Sequence, residues 1–253
     1  MIISHEHKVA LVTGAGSGIG RGIALRLAAD GAAVACTDVN LDGAAETVRL
    51  VTEAGGRATA LVVDVRDRSQ VEAAVAATVA EFGGLHLVVN NAGVVTMSDL
   101  DHLTDDEWDF VVDVNLKGQF IVAQVASRAM TDGGAIVNLS TVEAAVVVSS
   151  SGHCQPHYNA SKGGVPMLTK ALAVELAAKN IRVNAVAPGP INTRFSGGDI
   201  TGPEAMAFMS QRLLVPRVGE PEDVANAVSF LLSDQASFIS GAHLPVDGGW
   251  LTR

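Results

Sequence analysis

Aromatic side chains make up only 4% of the 253 residues, and a single tyrosine, Tyr158, is present. The core must therefore be built from Ala, Val, Leu and Ile, a mix that suits helices packed closely on a Val-rich parallel sheet. Cysteine is nearly absent. Cys36 and Cys154 are too few for a disulfide framework, and no zinc-site spacing surrounds them. Cys36 stands in an apolar run and reads as a buried small side chain. Basic residues number 17 against 27 acidic ones, a net charge of −10, and form no long run. That balance excludes nucleic acid and anionic membrane as natural partners. No uncharged apolar stretch is long enough to cross a bilayer, and residues 1–7 lack a basic-then-apolar leader pattern. The expectation is a soluble, cytoplasmic protein whose first seven residues, with His5 and His7, form a loose arm.

What is there in quantity is alternation. Apolar strand candidates at 8–13, 33–38, 58–65, 85–90, 135–139, 182–186 and 243–246 are separated by helical stretches at 19–30, 42–54, 69–82 and 221–233. Residues 106–130 read as one long helix or two joined ones, with Thr104 as its N-cap. The helix carrying Tyr158 lies between the fifth and sixth strands. Strands separated by helices of this length form βαβ units and a parallel sheet, with right-handed crossovers placing helices on both faces. No linker or shift of composition divides the chain, so residues 1–253 read as one α/β domain. Residues 142–157 and 192–216 are the least regular stretches. Both follow strand ends, where open α/β sheets bind ligands, which makes them the expected substrate region.

Between the first strand and first helix runs Thr13-Gly14-Ala15-Gly16-Ser17-Gly18-Ile19-Gly20. Glycines there let the backbone approach a pyrophosphate and aim helix N-terminal N–H groups at it; the alternative is an ordinary tight turn. Asp38 closes the second strand, where a carboxylate can accept from both hydroxyls of an adenosine ribose and would repel a 2′-phosphate. The following Val39 and the loop's Ser17 add no positive charge, so NAD is favoured over NADP. Asp64 and Val65 are read as ending the third strand, against the adenine edge. Asn90-Asn91-Ala92-Gly93 ends the fourth, where a glycine lets the chain pass close to a flat ligand.

Tyr158 and Lys162 are one helical turn apart and project from the same face of a helix. A phenol holds its proton until about pH 10, and a neighbouring ammonium favours the phenolate. Lowering the phenol by three units would take roughly 4 kcal/mol, attainable only in a water-poor cleft. An exposed surface pair is the alternative for an isolated Tyr-x-x-x-Lys.

Taken in order, Thr13-Gly-x-x-x-Gly18-Ile-Gly20, Asn90-Asn-Ala-Gly93, Asn115, Asn138-Leu-Ser-Thr141, Tyr158-x-x-x-Lys162 and Pro188-Gly-Pro-Ile-Asn-Thr193 resemble the compact, single-domain short-chain dehydrogenase/reductases. Arg217-x-Gly-x-Pro-Glu-Asp-Val224 and Val246-Asp-Gly-Gly249 extend the likeness towards the C-terminus. The resemblance implies a Rossmann-like doubly wound sheet of about seven parallel strands and a nicotinamide cofactor. It implies that Tyr158 exchanges the substrate's hydroxyl proton, and that Lys162 lowers the tyrosine and binds the nicotinamide ribose. It further implies that Asn115 holds a relay water, and that Pro188, Gly189, Ile191 and Thr193 fix the nicotinamide. With Gly14, Ser17, Gly18, Ile19, Gly20, Asp38, Val39, Asp64, Val65, Asn91, Ala92 and Gly93, these complete the expected cofactor site.

Two departures bear on the site. Where the family has Ser-Ser, this chain has Ser140-Thr141, so the hydroxyl that polarises the substrate oxygen is expected at Thr141, with Ser140 the other candidate. Pro166 lies inside the tyrosine helix, where it lacks the N–H that would meet the Lys162 carbonyl. A kink is expected over 162–166, eased by Gly163 and Gly164. His153, Cys154 and His157 lack a carboxylate to complete a metal site and read as solvated or substrate-facing; no metal is expected. Glu143 could meet substrate or cap a turn.

The expected activity is NAD-dependent interconversion of a secondary alcohol and a ketone. The alternatives are an NADPH-dependent ketoreductase, such as one acting on a 3-oxoacyl thioester, and a non-catalytic cofactor-binding protein. Residues 142–148 and 195–214, with Met206, Phe208 and Met209, suggest an apolar pocket for a small-molecule substrate. The helix over 158–178 is apolar on more than one stripe, which suggests burial against another subunit; relatives of this kind imply a homotetramer.

Overall fold

A computed structural model describes residues 3–148, 153–195 and 200–252. Seven parallel strands form one sheet: β1 (Val9–Thr13), β2 (Ala33–Asp38), β3 (Arg57–Val62), β4 (Leu87–Asn90), β5 (Gly134–Leu139), β6 (Ile181–Pro188) and β7 (His243–Val246), in the order β3-β2-β1-β4-β5-β6-β7. The doubly wound α/β fold read from the alternation is the one observed. Strand order reverses between β1 and β4, which opens a crevice at their carboxyl ends.

Among the described residues there are eight α-helices, most of them laid on the two faces of the sheet: α1 (Gly18–Ala29), α2 (Leu41–Glu53), α3 (Arg68–Phe82), α4 (Asp105–Val112), α5 (Gly118–Ala129), α6 (Pro156–Leu176), α7 (Pro203–Met209) and α8 (Pro221–Leu232). Successive strand residues point to opposite faces, so β1 divides its side chains between two cores. Val12 packs with Ile23, Leu27 and Val228 under α1 and α8. Leu11 packs with Val75, Val122 and Leu172 under α3, α5 and α6. Cys36 is fully buried in the first core, and burial raises its thiol to about 12. A third, smaller cluster of Val142, Met209, Leu213, Val218 and Trp250 sits above the carboxyl ends of the strands.

Several local expectations are corrected. The third strand ends at Val62, so Asp64 and Val65 lie just beyond it. As an edge strand β3 is only partly buried, which is why its apolar pattern overruns its hydrogen-bonded length. Thr104 caps α4, reciprocally with Glu107. The stretch beyond is α4 and α5 joined by a π-helical turn at Asp113–Lys117, a local widening that often marks functional positions. Part of the expected substrate loop, at 203–209, is helical.

The N-terminal arm is not loose at His5. Its imidazole is buried, with Nε2 3.1 Å from Ser229 Oγ, and that hydroxyl donates to Asp30 Oδ2 at 2.6 Å. Its main-chain N–H donates to Asp30 O. The arm thus clips α1 to α8; His7 is exposed.

Pro166 does not end α6, which continues to Leu176. The Lys162 carbonyl, deprived of its helical partner, accepts from Ser140 Oγ at 3.2 Å. Gly164 lies close to the π-helical turn, since a Cβ there would stand 2.8 Å from Leu116 Cδ2.

Candidate active site

A cavity of about 1250 Å3 runs along the carboxyl ends of the strands, from the glycine loop to Trp250. Single small-ligand pockets are usually ~300–1,000 Å3, so this one has room for an extended ligand and a second molecule. Its first half is built on the turn after β1. Gly14 and Gly18 have φ of +63° and +51°, a region favourable to glycine. A Cβ on Gly20 would lie 2.1 Å from Gly14 O, so only glycine lets α1 begin so close beneath the loop. Thr13 Oγ1 accepts from the Asn91 and Ala92 N–H groups, each at 3.0 Å. Asn91 Nδ2 donates to Thr13 O and Gly14 O. Asn91, expected among the cofactor contacts, lines the cavity and also braces the loop.

Asp38 is fixed by two main-chain donors: Gly16 N to Oδ2 and Asn40 N to Oδ1, both at 2.9 Å. Each carboxylate oxygen keeps a further acceptor site. Val39 beside it is exposed. Arg21 is a positive charge that the loop motif does not announce. It lies on the cavity wall with its guanidinium donating to Gly16 O and Gly43 O, and its Nε donating to Thr47 Oγ1. Asp64 lies on the cavity wall, where Arg66 grips its carboxylate through Nε and Nη2 and holds the acid below its ordinary range. Arg66 also stacks 4.9 Å from the Phe110 ring centroid. Nothing in the sequence pattern marks that arginine, because its role depends on the chain bend after β3.

Opposite this, Gly93 leaves open the space beside Asn115 and Lys162; a Cβ there would stand 3.3 Å from Asn115 Oδ1 and 3.4 Å from Lys162 Nζ. Pro188, Gly189, Ile191 and Thr193 form the wall after β6, together with Ser17, Ile19 and Val65. Gly189 packs flat on Asp247, 2.7 Å from its Cα were a Cβ present. Helix N-terminus, glycine-lined approach, strand-end carboxylate and volume together fit a dinucleotide.

The second half gathers Ser140, Thr141, Tyr158 and Lys162, all buried. Thr141 Oγ1 donates to Pro188 O at 3.4 Å, and both it and the Tyr158 phenol line the cavity. Ser140 faces away from that pairing, onto the Lys162 carbonyl. Tyr158 lies 6.1 Å from Phe195 between ring centroids. Burial, and after it the Glu143 charge, pushes the phenol up, while the Thr141 hydrogen bond pulls it down. The expected lowering by Lys162 is not the net effect. Its Nζ donates to Leu139 O at 2.9 Å, and burial lowers the ammonium to about 8.

Asn115 is carried inward by the π turn. Its Oδ1 accepts from Val94 N at 2.8 Å, and its Nδ2 donates to Val94 O and Ser161 Oγ. The side chain therefore ties the loop after β4 to α6. His157 is fully buried rather than substrate-facing: Nε2 meets Thr96 Oγ1 at 2.8 Å, a second tie of the same loop. His153 and Cys154 are exposed. Glu143 lies on the cavity wall with Oε2 accepting from Asn159 Nδ2 at 3.1 Å, and burial raises its acid. Val142, Met209 and Trp250 give the remaining wall its apolar character. Of the expected substrate stretches, residues 149–152 and 196–199 lie outside the described residues.

Comparison with known proteins agrees with this geometry. A family model described as enoyl-(acyl carrier protein) reductase matches residues 14–251. A 3β-hydroxysteroid dehydrogenase from Eggerthella lenta is 43% identical over 249 residues, covering 96% of this chain and 93% of its own. A 3-oxoacyl-[acyl-carrier-protein] reductase from Staphylococcus aureus is 42% identical over 248 residues, covering 96% and 97%. The crystal structure of a short-chain type dehydrogenase/reductase from Mycobacterium marinum superposes with a TM-score of 0.92 at 32% identity, covering 100% and 98%.

Proposed function

The chain belongs to the short-chain dehydrogenase/reductase family of oxidoreductases, and from that premise we propose that it interconverts a secondary alcohol and a ketone with NAD. The observation that carries the proposal is the buried hydroxyl pair of Thr141 and Tyr158, set where the loop-lined half of the cavity meets the apolar half. A dinucleotide held on the glycine loop, Asp38 and the wall after β6 supplies the hydride acceptor or donor. Thr141 donates to the substrate oxygen and holds it against Tyr158. Tyr158 removes the hydroxyl proton as the carbinol carbon is oxidised, and returns it in reduction. Lys162 favours the charged phenolate once its own ammonium is drawn into the site. Asn115 keeps the loop after β4 docked on α6. The apolar wall excludes water and receives the substrate's carbon skeleton.

Support for NAD comes from Asp38, whose carboxylate is rigid and has acceptor capacity left for two ribose hydroxyls. An NADPH-dependent ketoreductase is the second reading. It is favoured by Arg21, a cation beside the same loop, and by the likeness to the staphylococcal reductase. The expected assembly is a homotetramer in the cytoplasm, and the expected partner a small apolar alcohol or ketone. Fluorescence titration with NADH and NADPH tests the cofactor: NADH binding at least tenfold tighter is expected, and the reverse order establishes the second reading. A panel of cyclic, steroidal and acyl-chain alcohols, read by NAD reduction, identifies the substrate class.

A further inference from the structure

Two consecutive residues at the end of β5 hold both ends of Lys162. The Leu139 carbonyl accepts from its ammonium, at 2.9 Å, and the Ser140 hydroxyl donates to its main-chain carbonyl, at 3.2 Å. The second contact exists at a carbonyl that an ordinary helix would satisfy from within. In α6 the N–H due to that carbonyl belongs to position 166, and proline has none. The carbonyl sits in a buried residue, where an unmet acceptor is costly.

We propose that Ser140 is a positioning residue: its hydroxyl replaces the N–H removed by Pro166 and so fixes Lys162 for work on the cofactor and on Tyr158. The inference rests on the reading of Lys162 as part of the active site. It also divides the two neighbouring hydroxyls. Ser140 gives its one proton to the helix, whereas Thr141, one residue further, donates to Pro188 O at 3.4 Å on the cavity wall and lowers the Tyr158 phenol. One turn beyond, Asn138 Nδ2 donates to Thr169 Oγ1 at 2.9 Å. The residues 138–140 thus pin α6 at two levels, across a proline that would otherwise leave it slack above the lysine. Pro166 itself is only half-buried, so replacing it does not empty the core.

A double-mutant cycle tests this on the full chain, using Ser140→Ala, Pro166→Ala and the pair, with thermal midpoints and NADH fluorescence titrations. Ser140→Ala should lower the midpoint by about 3–8 °C, the loss expected for one orphaned buried acceptor in a domain of this size. It should also weaken NADH by roughly tenfold, as the lysine beneath the ribose loses its anchor. In the pair, the alanine N–H at position 166 meets the Lys162 carbonyl. Both midpoint and affinity should then return to within about 2 °C and twofold of Pro166→Ala alone. Additive losses in the pair overturn the proposal, because a hydroxyl that merely fills space gains nothing from a peptide N–H on another element. A midpoint that recovers beside an affinity that Ser140→Ala never changed reduces Ser140 to a structural residue and overturns the positioning role. Wild-type protein that binds no NADH defeats the functional reading, while the midpoints still report on the Ser140–Pro166 coupling.

Discussion

At Tyr158 the protein faces an electrostatic problem that its own residues make worse. A buried phenol resists ionisation, and Glu143 adds a second opposing effect through its charge. Removing that charge should make the phenolate easier to form. Glu143→Gln is therefore expected to move the acid limb of the pH profile for alcohol oxidation to lower pH, by about half a unit to one unit. A limb that stays in place or moves to higher pH would show that Glu143 does not act on the base. Thr141→Val keeps the shape and removes the donor, so kcat/KM should fall by roughly 10²-fold with NADH affinity unchanged. These residues were legible in the sequence because their chemistry is local: a tyrosine and a lysine one turn apart, hydroxyls at a strand end. The partners Arg21 and Arg66 were not. Each acts on the cavity through a carbonyl or carboxylate brought near by a turn, and no spacing encodes that meeting.

Among the elements, α6 shows how a local rule is satisfied by a distant residue. Pro166 led to the expectation of a kink; the helix runs on past it to Leu176, and β5 supplies the hydrogen bond that the proline lacks. Gly164 in the same helix lies against the Leu116 side chain. Gly164→Ala should drive a Cβ into Leu116 and push α6 off the π turn that carries Asn115. We expect a loss of about 1–3 kcal/mol in chemical denaturation, with a weaker hold on the loop after β4. The N-terminal arm is the clearer failure of sequence reading. Seven polar-rich residues look unanchored, yet His5 reaches Ser229 on α8, a partner 224 positions away.

Burial lowers the His5 imidazole, against the raising effects of Asp30 and Asp234 and together with the lowering effect of Arg26. The folded protein therefore binds a proton there less readily than the unfolded chain, whose imidazole titrates near 6.5. The contribution of this group to stability is whole above that pH and is lost progressively below it. His5→Ala should reduce the midpoint at pH 7.5 by several degrees and flatten its fall between pH 6.5 and 5. Equal slopes for the two proteins would remove His5 from the acid sensitivity.

For the molecule as a whole, the parallel sheet and its two-faced cover followed from the alternation of apolar runs and helical stretches, since βαβ chirality leaves few arrangements open, while the strand order is read only from the structure. One edge was less legible: β3 is partly exposed and its apolar pattern runs past its end at Val62, whereas β7 at the other edge falls where it was expected. One surface suits assembly: Phe120 on α5 and Met167 and Val174 on α6 are exposed apolar side chains, with Met167 at 66% and Val174 at 75%. Exposed apolar groups concentrated on paired helices mark contact surfaces. Sedimentation at micromolar concentration is expected to give a tetramer, and Met167→Glu with Val174→Glu should shift it to smaller species. A wild-type monomer would contradict the assembly.

The central claim is that Tyr158 is the acid and base of a hydride-transfer site, and Tyr158→Phe tests it most directly. The substitution removes one oxygen and leaves the ring, its packing on Phe195 and the cofactor half of the cavity in place. Once an alcohol from the panel is in hand, its oxidation and NADH binding are measured side by side in the variant. The account predicts turnover reduced by at least 10³-fold, consistent with the loss of the group that takes the proton in the transition state, with NADH affinity within threefold of wild type. Turnover retained within tenfold at unchanged affinity would contradict it.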